Sequence, residues 1–189
     1  MTVDVRWRGA GLDRLVDEDH ARLVASVAAW LRALGWLVEV EVSYSVFGER
    51  GSYDLIAFHP GRAMLLAIEV KTDIPSAEAT LRKLDEKARL ASKVARERFG
   101  WSARSVSRLL VVPGTRTLHR RIDRHRTLFD HALPLRSVVV RRWLKTPTDA
   151  MAGIWFASFS DGPRAVPGRS TPERGRVPKS RHANDGVAG

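Results

Sequence analysis

Cysteine is absent from the 189-residue sequence, and this absence excludes two classes of protein. Without thiols the chain has neither a disulfide framework nor a thiolate zinc site, so nothing in it calls for an oxidising compartment. Long apolar runs are missing as well. No stretch approaches the ~18 apolar residues of a membrane helix, and the N-terminal residues lack the apolar run of a signal peptide. These absences predict a cytoplasmic protein that does not enter a membrane.

Acidic residues are scarce relative to basic ones, with 21 Asp and Glu against 32 Lys and Arg and a formal net charge of +11. A surplus of this size favours a polyanionic partner, most often nucleic acid. Most of the basic residues are arginine, and a genome rich in G and C produces the same bias. Composition alone therefore leaves open whether the charge serves DNA binding or is simply a basic surface.

Composition divides the chain into three parts, of which one is long enough to fold as a domain. Residues 1–11 form a short N-terminal extension, and residues 12–162 carry the apolar periodicity of a folded domain. From Gly162 onward, paired glycines and prolines punctuate a stretch nearly free of large apolar residues, so residues 163–189 are predicted to be a disordered basic tail. This tail suits either a phosphate-binding arm or a solvated terminus.

The first half of the folded part predicts one helix and three strands. Apolar residues at three- and four-residue spacing indicate a helix that ends at Gly35, and strict alternation over residues 37–46 indicates a strand. A break at residues 48–51 reads as a turn. Two more strands, at residues 53–58 and 63–70, are joined by the turn signal His-Pro-Gly-Arg and form a hairpin.

The second half of the folded part predicts a helix, a strand, a basic helix and a final strand. These elements are expected at residues 76–99, 106–112, 116–129 and 135–140. A last apolar group is expected to pack against the sheet: Trp143, Leu144, Ile154, Trp155, Phe156 and Phe159. The whole pattern indicates an α/β domain with a mixed sheet flanked by helices.

Three residues on the predicted hairpin carry the clearest chemistry. Asp54 begins one strand, and Glu69 and Lys71 close the next, where alternation points both side chains to one face. A hairpin with its turn at residues 59–62 places Asp54 opposite residue 68 or 69, so the two carboxylates come close together. Such a pair repels unless a divalent cation lies between them, and Mg²⁺ suits an all-oxygen site. Lys71 would orient or activate water for attack on a phosphodiester. An isolated Glu-x-Lys, by contrast, commonly forms only an ion pair.

The hairpin sequence resembles the PD-(D/E)xK superfamily, which includes Holliday-junction resolvases and many restriction and repair nucleases. The matching segments are GSYDLIAF at residues 51–58 and LLAIEVKT at residues 65–72. The turn GERGS at residues 48–52 also resembles one in the nuclease-like portion of bacterial helix-turn-helix regulators. The resemblance covers about residues 12–160. It implies a restriction-endonuclease-like core in αβββαβ order, and it allows a homodimer.

The resemblance also implies roles for particular residues. Asp54 and Glu69 would hold Mg²⁺ or Mn²⁺, and Lys71 would be the catalytic lysine. Resolvase-like relatives carry a metal-binding Glu on the first helix, where this chain has apolar residues. The nearest polar candidates lie earlier, and we take Glu18 and His20 as possible metal ligands, with helix capping as the alternative reason for acids there.

The helix after the hairpin offers one further candidate. Superfamily members commonly place a Gln or Lys on this helix to assist the site, and Lys87 is the residue we assign there. Lys83 lies one turn earlier on the same face. For most charged residues of this helix, a solvated face remains the simpler explanation.

Basic residues are concentrated in residues 102–145, where eleven Arg and Lys stand against Asp123 and Asp130. Such a patch suits phosphate backbones and gives affinity without reading sequence. The residues predicted to contact DNA are Arg50, Arg116, Arg120, Arg121 and Arg124. Together these features predict a Mg²⁺-dependent DNA endonuclease of repair, recombination or defence. The alternative is a DNA-binding or regulatory protein that keeps the nuclease fold without cleaving.

Overall fold

A single five-stranded sheet, with helices packed on both faces, organises residues 9–158, which are the residues that the computed structural model describes. The predicted tail at residues 163–189 and Phe159 lie outside this range, as do residues 1–8. The elements are, in chain order, α1 (Gly9–Ala33), β1 (Leu37–Val46), β2 (Glu49–His59), a 3₁₀ turn (Pro60–Arg62), β3 (Met64–Val70), α2 (Ala77–Phe99), β4 (Ser105–Pro113), α3 (Arg116–Arg124), α4 (Arg126–Ala132), α5 (Ser137–Lys145) and β5 (Ala152–Ala157).

The sheet is mixed, and its strands lie in sequence order from β1 to β5. Strands β1, β2 and β3 are antiparallel neighbours, whereas β4 and β5 continue the sheet in parallel with β3. The crossover between β3 and β4 is made by α2. This architecture confirms the predicted α/β class with a mixed central sheet flanked by helices, and it is consistent with a restriction-endonuclease-like core.

The helix ends follow the capping residues of the sequence. Gly35, at φ +86°, lets the chain leave α1, and the Trp36 amide donates to the Leu31 carbonyl at 3.1 Å. Ser76 caps α2 by accepting a hydrogen bond from the Ala79 amide at 3.1 Å. Gly100, at φ +70°, ends the same helix. A left-handed residue after the last turn is the usual way to satisfy the final carbonyls of a helix.

The predicted strand at residues 135–140 is wrong. Residues of this stretch begin α5, and only a single bridge joins Leu135 to Gly153. The β-branched run before Arg141 favours a strand locally, but Val140 and Leu144, one helical turn apart, are both fully buried as α5 packs on the sheet. The last strand is instead β5, which contains Ile154, Trp155 and Phe156 of the apolar group expected only to pack against the sheet.

Two other boundaries differ from the sequence prediction. The basic helix expected at residues 116–129 is interrupted at His125, which separates α3 from α4. The turn between β1 and β2 contains only Phe47 and Gly48, both at positive φ, so β2 begins at Glu49 rather than after residue 51. Asp54 therefore lies inside a strand and not at its start.

The core is divided by the sheet into apolar clusters on its two faces. One cluster lies beneath α1 and α5, and two others lie beneath the helices of the opposite face. Strand β3 is buried along its whole length, because both of its faces are covered. Among residues 9–158, no helix is long and apolar enough to cross a membrane.

Candidate active site

At Asp54, the side chains of strand β2 change from one face of the sheet to the other. Tyr53 packs in the cluster under α2 and Leu55 in the cluster under α1, although simple alternation would put both on one face. On the neighbouring strand, Glu41 adopts φ +52° at the position facing Asp54. The Asp54 carboxylate is thereby directed toward the end of β3, where its Oδ2 accepts a hydrogen bond from the Val70 amide at 2.6 Å.

Glu69 is brought beside Asp54 by the hairpin register, which pairs Leu55 with Ile68. This outcome agrees with the sequence prediction for the two carboxylates. The Glu69 side chain is only 2% exposed, and both of its oxygens are engaged by lysines. Lys71 Nζ lies 2.8 Å from Oε1, and Lys87 Nζ contacts Oε2.

Lys87 reaches Glu69 from the buried face of α2. Its side chain is 4% exposed, and it lies on the helix stripe that also buries Leu84 and Ala91. Its own carbonyl accepts a hydrogen bond from the Tyr53 hydroxyl at 2.8 Å, which fastens α2 to the strand that carries Asp54. The structure thus brings together four predicted residues: Asp54, Glu69, Lys71 and Lys87.

Burial and charge shift the acidity of three groups in opposite directions. Burial, followed by the charge of Glu69, raises the pKa of Asp54. Burial would also raise the pKa of Glu69, but the ammonium groups of Lys87 and Lys71 outweigh it and hold that pKa below its usual value. Burial lowers the pKa of Lys71 by itself, yet its contact with Glu69 leaves that pKa raised. The contact with Glu69 therefore favours the protonated form of Lys71.

Two open cavities meet at Asp54 and Lys71. The first, of about 560 Å³, is lined by Ser52, Asp54, Glu69, Lys71, Ala79, Thr80, Arg82, Lys83, Glu86 and Lys87. The second, of about 500 Å³, is lined by Asp17, His20, Asp54, Val70, Lys71, Thr72, Asp73 and Pro75. Asp54 and Lys71 thus line both cavities, whereas Glu69 lines only the first, together with the cations Arg82 and Lys83.

The first helix contributes differently from the prediction. His20 lines the second cavity, with Nε2 3.9 Å from Asp54 Oδ1, whereas Glu18 is exposed and lines neither cavity. Two residues along a helix correspond to about 200° of rotation, so His20 and Glu18 face opposite ways. Asp17, which the sequence prediction does not include, shares the cavity with His20. Its spacing of one turn from His20 was the available signal.

A metal at this site would rest on few protein ligands. Within residues 9–158 as described, no group of three or more His, Asp or Glu side chains is arranged to hold a metal ion. Asp54 and Glu69 remain as two adjacent carboxylates at an open cavity, and repulsion contributes to the raised pKa of Asp54. Two carboxylates plus water suit Mg²⁺, which keeps several waters when it binds protein. The donor set fits such a cation.

The predicted DNA-contacting arginines divide into exposed and paired groups. Arg116, Arg120 and Arg124 are exposed and recur every four residues, which places them on one face of α3. Arg121 is partly buried, pairs with Asp73 and donates to the Ile74 carbonyl at 3.3 Å. Because Asp73 lines the second cavity, this contact holds α3 next to the site.

Arg50, the remaining predicted contact, is exposed near the start of β2 and lines neither cavity. Four residues separate it from Asp54, which corresponds to about 13 Å along a strand. Arg50 therefore lies away from the carboxylate pair.

Fold and site together define a mixed α/β protein with paired carboxylates and two lysines where neighbouring strands meet. No family model matches the chain, and no curated protein matches it in sequence. Among solved structures, it is similar to an XisH family protein from Nostoc punctiforme, with a TM-score of 0.37 and 18% identity, over 59% of this chain and 84% of that one. Nothing about the activity of this chain follows from that likeness.

Proposed function

We propose that this protein is a Mg²⁺-dependent DNA endonuclease that hydrolyses phosphodiester bonds at the Asp54–Glu69 site. The observation that carries the proposal is the meeting of Asp54, Glu69 and Lys71 at an open cavity. An Asp and a Glu on paired strands, with a lysine two residues beyond the Glu, combine acidic metal donors with a fixed positive charge.

Each side chain has a distinct task in the proposed reaction. Asp54 and Glu69 would hold Mg²⁺, which when bound supplies Lewis acidity toward a phosphate oxygen. Lys71, kept protonated by Glu69, donates hydrogen bonds that orient water and stabilise charge developing on the phosphate. Lys87, buried against Glu69 and lining the first cavity, positions the carboxylate. Because Lys71 is charged, bulk water or a phosphate oxygen must take the proton of the attacking water.

Phosphate binding is the second part of the proposal. Arg82 and Lys83 line the first cavity, and the exposed arginines of α3 lie on the element that Arg121 ties to the second cavity. Contacts of this kind give affinity without sequence specificity and fall steeply with salt. We expect Arg116, Arg120 and Arg124 changed together to Gln to lower the slope of log affinity against log salt by roughly 0.9 for each phosphate that is no longer neutralised. Anisotropy titrations at several salt concentrations measure this slope.

A non-cleaving DNA-binding role is the second candidate, and one observation favours it. Both oxygens of Glu69 are already engaged, by Lys71 and Lys87, so the site balances two carboxylates with two ammonium groups. A cation would have to compete with Lys71 for Oε1. If that competition fails at cellular Mg²⁺ concentrations, the protein binds DNA and leaves it intact.

A cleavage assay with matched variants separates the two candidates. Linear, nicked, flap and four-way-junction DNA are incubated with Mg²⁺ or Mn²⁺ and with wild type, Asp54→Asn or Lys71→Met. The control is Lys93→Met, which removes an exposed ammonium from α2 outside both cavities. We expect cleavage by wild type and control, and losses of about 10²-fold or more in the two site variants.

Other outcomes decide against the proposal. If no DNA is cut while binding persists, the non-cleaving role is correct. Equal cleavage by Lys71→Met and the control would remove Lys71 from the chemistry. Thermal melts of every variant show whether a loss of cleavage reflects unfolding.

A further inference from the structure

A third cavity lies away from the carboxylates, between α1 and α5. Its volume is about 440 Å³, and it is lined by Trp30, Val138, Arg141, Arg142 and Lys145. We call it the α1–α5 pocket. Trp30 follows His20 by ten residues on α1, which corresponds to about 15 Å along the helix. The pocket is therefore separate from the Asp54–Glu69 site.

The basic wall of this pocket comes from one face of α5. Val138, Arg141, Arg142 and Lys145 follow the spacing that normally marks the apolar stripe of a helix. Here that stripe is mainly cationic, and the core-facing residues Val140 and Leu144 lie on another side. The pocket lining thus contains three cations and no acidic residue.

The opposite wall supplies an aromatic surface. Trp30 is partly buried, because it packs on Trp155 with ring centroids 5.0 Å apart, and it also lines the pocket. Favourable placement of cations near a helix C-terminus would explain Arg142 and Lys145 alone. It does not explain why they share a concave space with an indole from another helix.

From this combination we infer that the α1–α5 pocket binds single-stranded DNA, with a base against Trp30 and the phosphates on Arg142 and Lys145. Stacked aromatic rings beside cations are the usual means of binding single strands, and an intact duplex does not offer its base faces. A membrane surface is the less suitable partner, because the cations line a hollow rather than project from a convex face. The inference does not depend on cleavage at the Asp54–Glu69 site.

Fluorescence anisotropy with labelled oligo-dT tests the charged wall. The double variant Arg142→Gln/Lys145→Gln is expected to bind at least about tenfold more weakly at low salt, and its salt slope should fall by roughly 0.7 for each phosphate that these side chains neutralise in the wild type. The control Lys93→Gln/Arg96→Gln removes the same charge from α2, on the other face of the sheet, and should leave binding within about twofold of wild type. If both double variants lose the same affinity for oligo-dT, net charge alone explains the loss and the inference is overturned.

The aromatic wall needs its own readout. Wild type should bind oligo-dT more tightly than an abasic oligomer of equal length, and Trp30→Leu should abolish this preference. Trp30→Phe keeps a ring and should retain the preference, which excludes unfolding as the cause. A wild type that does not distinguish the two oligomers contradicts base stacking.

Three further arms complete the test. Binding of oligo-U is measured to compare RNA with DNA. Tighter binding of oligo-U than of oligo-dT would overturn the assignment to DNA. Vesicles of phosphatidylglycerol that bind through Arg142 and Lys145, while oligo-dT does not, would assign the pocket to membranes. Oligo-dT binding is measured without divalent cations, so failure of the proposed cleavage and failure of this pocket are distinguishable.

Discussion

Replacing Lys87 with methionine removes a buried ammonium group but keeps most of the side-chain length. Glu69 then has no partner on Oε2 and keeps Lys71 on Oε1. The side chains of Lys87 and Glu69 are 4% and 2% exposed, so water does not replace the missing ammonium. Removing one partner of a buried ion pair lowers the free energy of unfolding by about 3–5 kcal/mol. Because Lys71 still contacts Glu69, we expect a loss of about 3 kcal/mol. For a domain of this size, the melting temperature should fall by roughly 6–12 °C.

The pH dependence of this loss follows from the pKa of Glu69. In the wild type the lysines hold that pKa below its usual value of 4.5, so the stabilisation is present above pH 4.5 and disappears as the pH falls through the folded-state pKa. Without Lys87 the effect of burial dominates, and Glu69 takes up a proton on mild acidification. The stability gap between wild type and Lys87→Met should therefore be largest at neutral pH and should narrow toward pH 4.5.

Urea unfolding at pH 7.5 and pH 5 measures both effects. The double variant Glu69→Gln/Lys87→Met removes both charges. Its loss in free energy of unfolding should be smaller than the sum of the two single-variant losses, with a coupling energy on the order of 2 kcal/mol. Lys93→Met removes the exposed pair with Glu97 and the contact of the ammonium with the Phe47 ring, and it should cost about 1 kcal/mol or less. If Lys87→Met loses no more stability than Lys93→Met, or if the two single losses add without coupling, the buried-pair argument is wrong.

Two other substitutions test the surroundings of the site. Asp54→Asn should raise stability more at pH 8 than at pH 5, because burial and Glu69 raise the pKa of Asp54 and ionisation therefore opposes folding at high pH; thermal melts check the sign. Gly51→Ala should cost about 1–3 kcal/mol, because the new Cβ would lie 2.5 Å from the Tyr44 hydroxyl; Gly61→Ala, with its nearest neighbour at 3.5 Å, should cost much less in urea titrations. Similar losses in both glycine variants would contradict the steric explanation.

The hairpin site was predictable because its geometry is local. The turn at residues 59–62 places Asp54 opposite Glu69, and alternation along β3 puts Lys71 on the same side as Glu69. The register in the structure agrees with that placement. Lys87 was also identified, but only through the family resemblance. No local pattern distinguishes a buried lysine from the exposed ones around it on α2.

The errors arose where distant contacts decide the local structure. The three valines before Arg141 favour a strand, and only packing of Val140 and Leu144 on the sheet makes this stretch helical. On α1, Glu18 is exposed and lines neither cavity, whereas Asp17, one turn before His20, shares the second cavity with it. At Asp54, opposite the positive-φ backbone of Glu41, the side chains of β2 change faces, and alternation within one strand does not predict this change.

The order in which the site residues meet has a consequence for how the protein folds. Asp54 and Glu69 belong to one hairpin, whose short loop closes at little entropic cost, whereas Lys87 reaches them only when α2 docks. Before docking, the hairpin carries two facing negative charges with only Lys71 nearby. We therefore expect mild acid or dissolved Mg²⁺ to accelerate folding, and stopped-flow refolding kinetics would reveal the carboxylate pair even in a protein that never cuts DNA.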